Sequence, residues 1–72
     1  MYITFINGNG GGFANKIYTE KNTTLADFLE NQIPGFESRQ FDIAVNGAAA
    51  MGDYVLCDND RVVAAYKGQK GA

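Results

Sequence analysis

The segment DNDRVVAAYKGQKGA, residues 58–72, decides the fold, because it joins a tight turn, the most apolar strand of the chain and a tail without core-forming side chains. Its first three residues predict a turn, since Asp and Asn bond to their own backbone and Asn tolerates a left-handed conformation. In the next six residues, 61–66, both alternating sets of side chains are apolar or small after Arg61. This pattern is typical of a strand that has neighbours on both sides and is covered on at least one face. We therefore predict a central strand here.

A tail follows this strand and consists of Lys67, Gly68, Gln69, Lys70, Gly71 and Ala72. None of its side chains is both apolar and larger than alanine, and terminal segments without such anchors are usually mobile. We expect a domain over residues 1–66 and a flexible tail over residues 67–72 that binds a partner protein. A terminus without any role is the alternative interpretation.

The N-terminal part of the chain predicts a hairpin. Residues 2–6 are β-branched or aromatic, as is typical of a strand, and Ile3 and Phe5 share one face of it. Residues 7–12 contain two Asn-Gly pairs and further glycines, after which an extended pattern resumes over residues 13–19. We predict two strands joined by a long, flexible glycine loop.

A helix is predicted after the hairpin. Thr24 followed three residues later by Asp27 resembles a capping box, and Asp27 also suits the positive end of the helix dipole. An apolar stripe at helical spacing consists of Leu25, Phe28, Leu29 and Ile33. Pro34 and Gly35 end the helix near Ile33, because proline cannot continue it. We expect the stripe to cover the sheet.

Three further segments complete the predicted sheet. Apolar residues alternate over residues 41–45 and indicate a third strand that ends at an Asn-Gly turn, and residues 48–51 suit a short edge strand. Residues 52–57 predict a turn and a buried Val55 or Leu56. The order strand, strand, helix, strand, short strand, strand is an α+β pattern. Its most economical packing is a β-grasp fold, in which the last strand lies parallel beside the first within a mixed, four- to five-stranded sheet with one covering helix.

Composition limits the function of this chain. Its 72 residues allow one domain, the 46% hydrophobic content supplies a small core, and the 19% charged content is too low for a disordered chain. Without histidine, and with one cysteine, the chain has no Ser-His or Cys-His nucleophile and none of the usual zinc sites. A net charge of −2 argues against nucleic acid as the main partner. Residues 1–66 hold eight acidic and four basic side chains, so an acidic body carries a basic tail.

Several other candidate sites have simpler structural interpretations. We interpret Asp53, Asp58 and Asp60 as turn residues instead of an acid–base or cation cluster, because the spacing of a calcium loop is absent. We expect Cys57 to be a half-buried structural thiol. The glycine loop lacks the spacing of a phosphate-binding loop, since position 13 is Phe13 and no helix follows directly. The tyrosines suit strand and rim packing, and a partner-binding patch that includes one or two of them stays open. They are Tyr2, Tyr18, Tyr54 and Tyr66.

The motifs VNG at 45–47, DYVL at 53–56 and DNDRV at 58–62 resemble the ubiquitin-like sulfur-carrier group. That group comprises the thiamine-biosynthesis sulfur carrier and the small subunit of molybdopterin synthase. It reads V-N-G followed by L-x-D-G-D-x-V and ends in Gly-Gly. This chain departs from the pattern twice, with Asn59 at the usual glycine of the turn and with Gly-Ala at its end.

The resemblance implies a ubiquitin-like β-grasp fold and a role for the C-terminus. In the group, a partner enzyme adenylates the C-terminal glycine, which is then converted to a thiocarboxylate. Gly71 matches this chemistry, whereas the methyl group of Ala72 stands beside the reacting carboxylate. We expect activation to be impaired unless the activating enzyme tolerates alanine.

From these observations we expect a small, non-enzymatic protein-binding module that uses the sheet face and the tail. One alternative is a sulfur carrier activated at its C-terminus, with an adenylating enzyme or a sulfur-acceptor enzyme as its partner. The other is an inhibitor or decoy that blocks a protein target through its ubiquitin-like surface. We predict no catalytic residues, cofactor, metal, nucleic acid or membrane partner. The N-terminus has neither the basic nor the apolar segment of a signal peptide, so a cytoplasmic location is expected.

Overall fold

The computed structural model describes residues 1–8 and 13–67 of the chain. In chain order the elements are β1 (Tyr2–Asn7), β2 (Ala14–Tyr18), α1 (Leu25–Gln32), a short 3₁₀ helix (Ser38–Gln40), β3 (Phe41–Val45), β4 (Ala48–Ala49) and β5 (Arg61–Tyr66). This order confirms the predicted succession of two strands, a helix, a strand, a short strand and a last strand. The predicted glycine loop between the first two strands falls largely on residues 9–12, which lie outside the described residues.

The strands form one five-stranded sheet in the order β2-β1-β5-β3-β4. β5 lies in its middle, parallel to β1 and antiparallel to β3, which confirms the central strand predicted from residues 61–66. The two other strand pairs, β1 with β2 and β3 with β4, are antiparallel. The sheet is therefore mixed, as a β-grasp fold requires.

The helix begins where the capping pattern predicted. The hydroxyl oxygen of Thr24 accepts a hydrogen bond from the backbone N–H of Asp27 at 3.2 Å, and Ile33 follows the last helical residue as the C-cap. Leu25, Phe28 and Leu29 are buried, and Ile33 is half-buried beside them. The predicted stripe is therefore the face by which the helix covers the sheet. Among the described residues, no helix is long and apolar enough to cross a membrane.

The core lies between the helix and one face of the sheet. Alternate residues of β1 and β5 form the side of the core that belongs to the sheet. The ring of Phe28 in the helix contacts that of Phe5 edge to face, with 5.5 Å between the ring centroids. The buried apolar residues are Ile3, Phe5, Leu25, Phe28, Leu29, Phe41, Val45, Leu56, Val62 and Ala64. Every second residue of the strands thus packs against the apolar stripe of the helix, and in this way so short a chain forms a core.

The turn between β3 and β4 needs two residues in the left-handed region. Asn46 has φ 54° and Gly47 has φ 85°, which is the backbone of a tight hairpin turn that favours Asn-Gly. Asn59 likewise has φ 69°, so asparagine occupies a left-handed position in the turn before β5. Both turn predictions are confirmed.

The segment between β4 and β5 corrects one expectation and refines another. Of the two candidates for the buried position, Leu56 is 3% exposed and Val55 is 47% exposed. The predicted half-buried state of Cys57 is wrong, because its side chain is exposed. Leu56 takes the inward position, and Cys57 begins the turn, where its backbone N–H donates to the carboxylate of Asp60 at 2.8 Å. The local backbone therefore directs the thiol outward.

Candidate partner-binding surface

The helix covers one face of the sheet, and among the described residues no other element covers the opposite one. We call this second face the open face. The strand pairings place on it Tyr2, Thr4, Ile6, Ala14, Lys16, Tyr18, Asp42, Ala44, Ala49, Arg61, Val63 and Ala65. All of them are exposed or half-buried.

An apolar row crosses the open face. Ile6 pairs with Ala14 on one side and with Val63 on the other, while Ala44 pairs with Val63 and with Ala49. One apolar side chain from each of the five strands therefore lies in this row. Another molecule that covers this row would remove its apolar surface from water, which is favourable.

A basic row runs beside the apolar one. Thr4 pairs with Lys16 of β2 and with Arg61 of β5, so two cations flank a threonine across the three strands. Asp42 is the acidic residue of the open face, and its Oδ1 lies 3.9 Å from the Nζ of Lys67. The other acidic side chains lie in the turns, the helix and the connections. The open face is thus locally positive although the chain as a whole is acidic.

Two exposed tyrosines extend the open face beyond the basic row. Tyr2 and Tyr18 are 52% and 61% exposed, and their rings meet edge to face at 5.5 Å between centroids. Tyr66 packs instead on Phe41 at 5.3 Å, and the hydroxyl of Tyr54 donates to Asp60 at 2.8 Å. The four tyrosines thus have different roles: the first two form an aromatic pair on the open face, and the others are tied to the fold.

The predicted tail begins beside the same sheet. The backbone N–H of Lys67 donates to the carbonyl oxygen of Gln40 at 2.8 Å, so the chain is still anchored next to β3 at this residue. The structure also brings the side chain of Lys67 close to that of Asp42. The other predicted site residues of the tail lie outside the described residues, namely Gly68, Gln69, Lys70, Gly71 and Ala72. Their role in binding stays a prediction.

The carboxylate of Asp60, which is 6% exposed, holds the turn before β5 together. It accepts hydrogen bonds of 2.8 Å from Asn46 Nδ2, the Tyr54 hydroxyl and the backbone N–H of Cys57. Asn46 Oδ1 in turn accepts from the N–H of Arg61 at 3.0 Å. The turn after β3 is thus joined to the turn before β5, which gives the VNG and DND motifs a structural reason to occur together.

Burial and hydrogen bonding act in opposite directions on the pKa of Asp60. Desolvation raises it, but the hydrogen bonds from Cys57, Asn46 and Tyr54 stabilise the carboxylate and bring the pKa below its ordinary 3.8. The same contact raises the pKa of Tyr54 to about 12, chiefly because its hydroxyl donates to Asp60. Near neutral pH, Asp60 is therefore ionised and Tyr54 is protonated.

This arrangement supports the turn interpretation of the aspartates. Asp60 is satisfied within the fold, and Asp58 Oδ1 accepts from the backbone N–H of Tyr2 at 2.9 Å. Asp53 is exposed. Within residues 1–8 and 13–67, no group of three or more His, Cys, Asp or Glu side chains is placed to hold a metal ion.

Comparisons with known proteins identify the fold. No protein-family model matches the chain, and the search of curated proteins found no match. A crystal structure of small archaeal modifier protein 1 from Haloferax volcanii superimposes with a TM-score of 0.73 at 16% identity, covering 99% of this chain and 100% of that one. A second crystal structure of that protein has a TM-score of 0.70 at 16% identity, covering 90% and 95%. These neighbours confirm the predicted ubiquitin-like β-grasp fold over nearly the whole chain.

Proposed function

We propose that this chain is a small ubiquitin-like module that binds a partner protein through its open face and its C-terminal tail. The observation that carries the proposal is the apolar row, bordered by Lys16 and Arg61 and by the pair of Tyr2 and Tyr18. Protein interfaces combine an apolar centre with a polar rim, and tyrosine and arginine are enriched among their energetically dominant residues. The open face offers these features on one side of a rigid sheet.

The charge of the open face indicates the character of the partner. Lys16 and Arg61 lie on it with Asp42, whose carboxylate faces Lys67. A partner with an apolar patch edged by carboxylates complements this arrangement, and such complementarity favours fast association and selects against basic partners. Because these charges are exposed, the attraction falls as salt is raised.

A photo-crosslinking experiment tests the open face. A benzophenone-bearing phenylalanine replaces Tyr18 in one variant and Met51, which is 75% exposed and lies outside the open face, in a control. After illumination in the source cell, we expect a defined protein adduct from position 18 and none from position 51. The captured partner is then titrated with purified Tyr18→Ser, and we expect binding to weaken about tenfold or more, as for an interface tyrosine.

The matched control for the titration is Met51→Ser, which is expected to bind like the parent chain. Adducts from position 51 alone, or equal affinity of parent and Tyr18→Ser, would contradict the proposed role of the open face. Circular dichroism of each variant separates loss of binding from loss of folding.

A second candidate function is covalent transfer through the C-terminus. It is favoured by two observations: the tail leaves from the central strand β5, and the fold neighbours are named modifier proteins. On this hypothesis a partner enzyme adenylates the terminal carboxylate, with loss of pyrophosphate from ATP. Hydrosulfide then attacks the carbonyl carbon of the acyl adenylate, the bond to AMP breaks, and a thiocarboxylate and free AMP are left. The open face serves both functions, because it positions the chain on the enzyme.

The Ala72→Gly substitution separates the two functions. Residues 1–72 and the variant are incubated with ATP, sodium sulfide and the adenylating enzymes of the source cell, and intact mass is measured. Covalent transfer predicts more adenylate, or more of the product in which sulfur replaces oxygen, from Ala72→Gly than from the parent, because a methyl group beside the carboxylate is removed. A chain that ends at Lys67 is the negative control; it should retain its melting temperature, because Lys67 keeps its bond to Gln40. No activation of either 72-residue form leaves binding as the only proposed function.

A further inference from the structure

The two edges of the sheet differ in length. β4 has two residues, too few to pair with another strand over any distance, whereas β2 has five. The pairing of β2 with β1 runs without a break from Tyr2 with Tyr18 to Ile6 with Ala14, and β2 contains no proline. Short strands, bulges, prolines and charged side chains are the usual means of protecting an edge, and of these β2 has only the charge of Lys16. β2 therefore has the length and regularity that a further strand needs.

The hydrogen bonds of β1 determine which backbone groups of β2 point away from the sheet. The N–H of Thr19 donates to the carbonyl of Met1 at 2.7 Å, and the amino group of Met1 donates to the carbonyl of Thr19 at 3.0 Å. In an antiparallel ladder such exchanged pairs alternate with unbonded ones. The backbone N–H and C=O groups of Asn15 and Ile17 accordingly point toward β1. Those of the residues between and beside them point outward, away from the sheet. We call these the outward positions: Ala14, Lys16 and Tyr18.

We propose that the β2 edge binds an extended segment of a partner protein as a sixth, antiparallel strand. The segment carries a carboxylate opposite Lys16 and apolar side chains two residues before and after it, opposite Tyr18 and Ala14. Main-chain hydrogen bonds to the outward positions provide the attachment, and the side chains on the open face provide the selectivity. The inference goes beyond the proposed function, because it uses backbone groups at the edge of the sheet.

Lys16 argues against a second copy of this chain as the occupant. If two β2 strands pair antiparallel with all outward positions engaged, Ala14 lies opposite Tyr18 and the two Lys16 residues lie opposite each other on the symmetry axis. Like charges directly opposite one another destabilise a pair of strands, whereas opposite charges stabilise it. A lysine in the middle of an edge is also a known protection against self-pairing. The same charge favours an acidic partner strand.

The test uses the full chain, labelled with nitrogen-15, and a capped peptide of sequence Tyr-Thr-Glu-Thr-Val. We expect the amide shifts on titration to concentrate at Ala14, Lys16 and Tyr18. Methylation of the glutamate nitrogen removes an N–H that faces β2, so binding should weaken more than about tenfold. Methylation of the threonine nitrogen after the glutamate is the matched control, since that N–H points to solvent and affinity should stay within about twofold.

Charge exchange tests the occupant's chemistry. A peptide with lysine in place of glutamate should bind the parent about tenfold more weakly, and Lys16→Glu should reverse this preference. Equal binding of the two methylated peptides, or no shift at any amide, overturns the edge site. Shifts confined to Ile6, Val63 and Ala44 also overturn it, because they place the peptide on the open face, and they leave the proposed function intact. A concentration-dependent dimer of the parent chain through residues 14–18 overturns the choice of occupant.

Discussion

Replacing Leu29 with alanine is expected to lower the free energy of unfolding by about 2–5 kcal/mol, the usual range for a buried leucine. Leu29 is 1% exposed and belongs to the stripe by which the helix covers the sheet. The substitution removes the apolar side chain and leaves a cavity, since the neighbouring strands are hydrogen-bonded and cannot close over it. In a chain of 72 residues this is a large part of the total stability.

Urea unfolding followed by circular dichroism measures the effect, with Glu30→Ala as the matched control. Glu30 is the next residue of the same helix and is exposed, so its replacement should change stability by no more than about 0.5 kcal/mol. Both variants keep a good helix former at the altered position. If the Leu29→Ala midpoint coincides with that of the parent, the helix does not pack on the sheet as described.

Replacing Asp60 with asparagine is expected to cost about 2–4 kcal/mol at neutral pH, because hydrogen bonds to a buried carboxylate are charge-assisted and their donors stay behind. Asparagine keeps the shape of the side chain, but it presents an NH₂ group where the carboxylate accepted a hydrogen bond. At least one of the donors on Asn46, Tyr54 and Cys57 then loses its acceptor. The two turns that Asp60 joins should loosen together.

The pH dependence of this difference gives a second measurement. The pKa of Asp60 is lowered in the folded chain, so the stability that its charge contributes is fully present above the ordinary value of 3.8 and is lost as the pH falls through the lower folded value. Parent and Asp60→Asn should therefore differ most near neutral pH and converge in acid. Asp53→Asn is the matched control, because Asp53 is an exposed residue of the preceding loop. A constant difference between parent and Asp60→Asn from neutral pH down to pH values below 3.8 would falsify the role of the charge.

Local patterns were sufficient to predict most of the fold. A capping threonine, an apolar stripe and a proline delimited the helix, and an Asn-Gly pair located the turn between β3 and β4. The central position of β5 followed from its composition, because a strand that is apolar in both alternating sets is stable where other strands pair with it on both sides. The helix cap and the Asn-Gly turn depend on interactions between residues close in sequence, which is why a single sequence was enough to predict them.

Cys57 shows the limit of such patterns. Leu56 and Cys57 are both compatible with a buried position, so the sequence favoured a half-buried thiol. The hydrogen bond from the backbone N–H of Cys57 to the carboxylate of Asp60 directs the thiol outward instead. Asp60 is itself held in place in part by Asn46, fourteen residues earlier. The burial of Asp60 itself was not predicted, because a turn aspartate is usually solvated. In the folded chain, hydrogen bonds from the distant Asn46 and the nearby Tyr54 take the place of water at its carboxylate.

The sequence alone determined the succession of elements, the apolar face of the helix and the absence of histidine chemistry, since each follows from composition or from short-range spacing. Only the tertiary structure decided which side chains form the open face and which backbone groups stay outward on β2. Ile6 and Val63 become neighbours because β1 pairs parallel with β5, and Ala44 joins them because β3 pairs antiparallel with β5. A shift of one residue in the register of a strand would turn its side chains to the other face of the sheet. Register is a property of the packed sheet, which is why the candidate binding surfaces appear only in the folded chain.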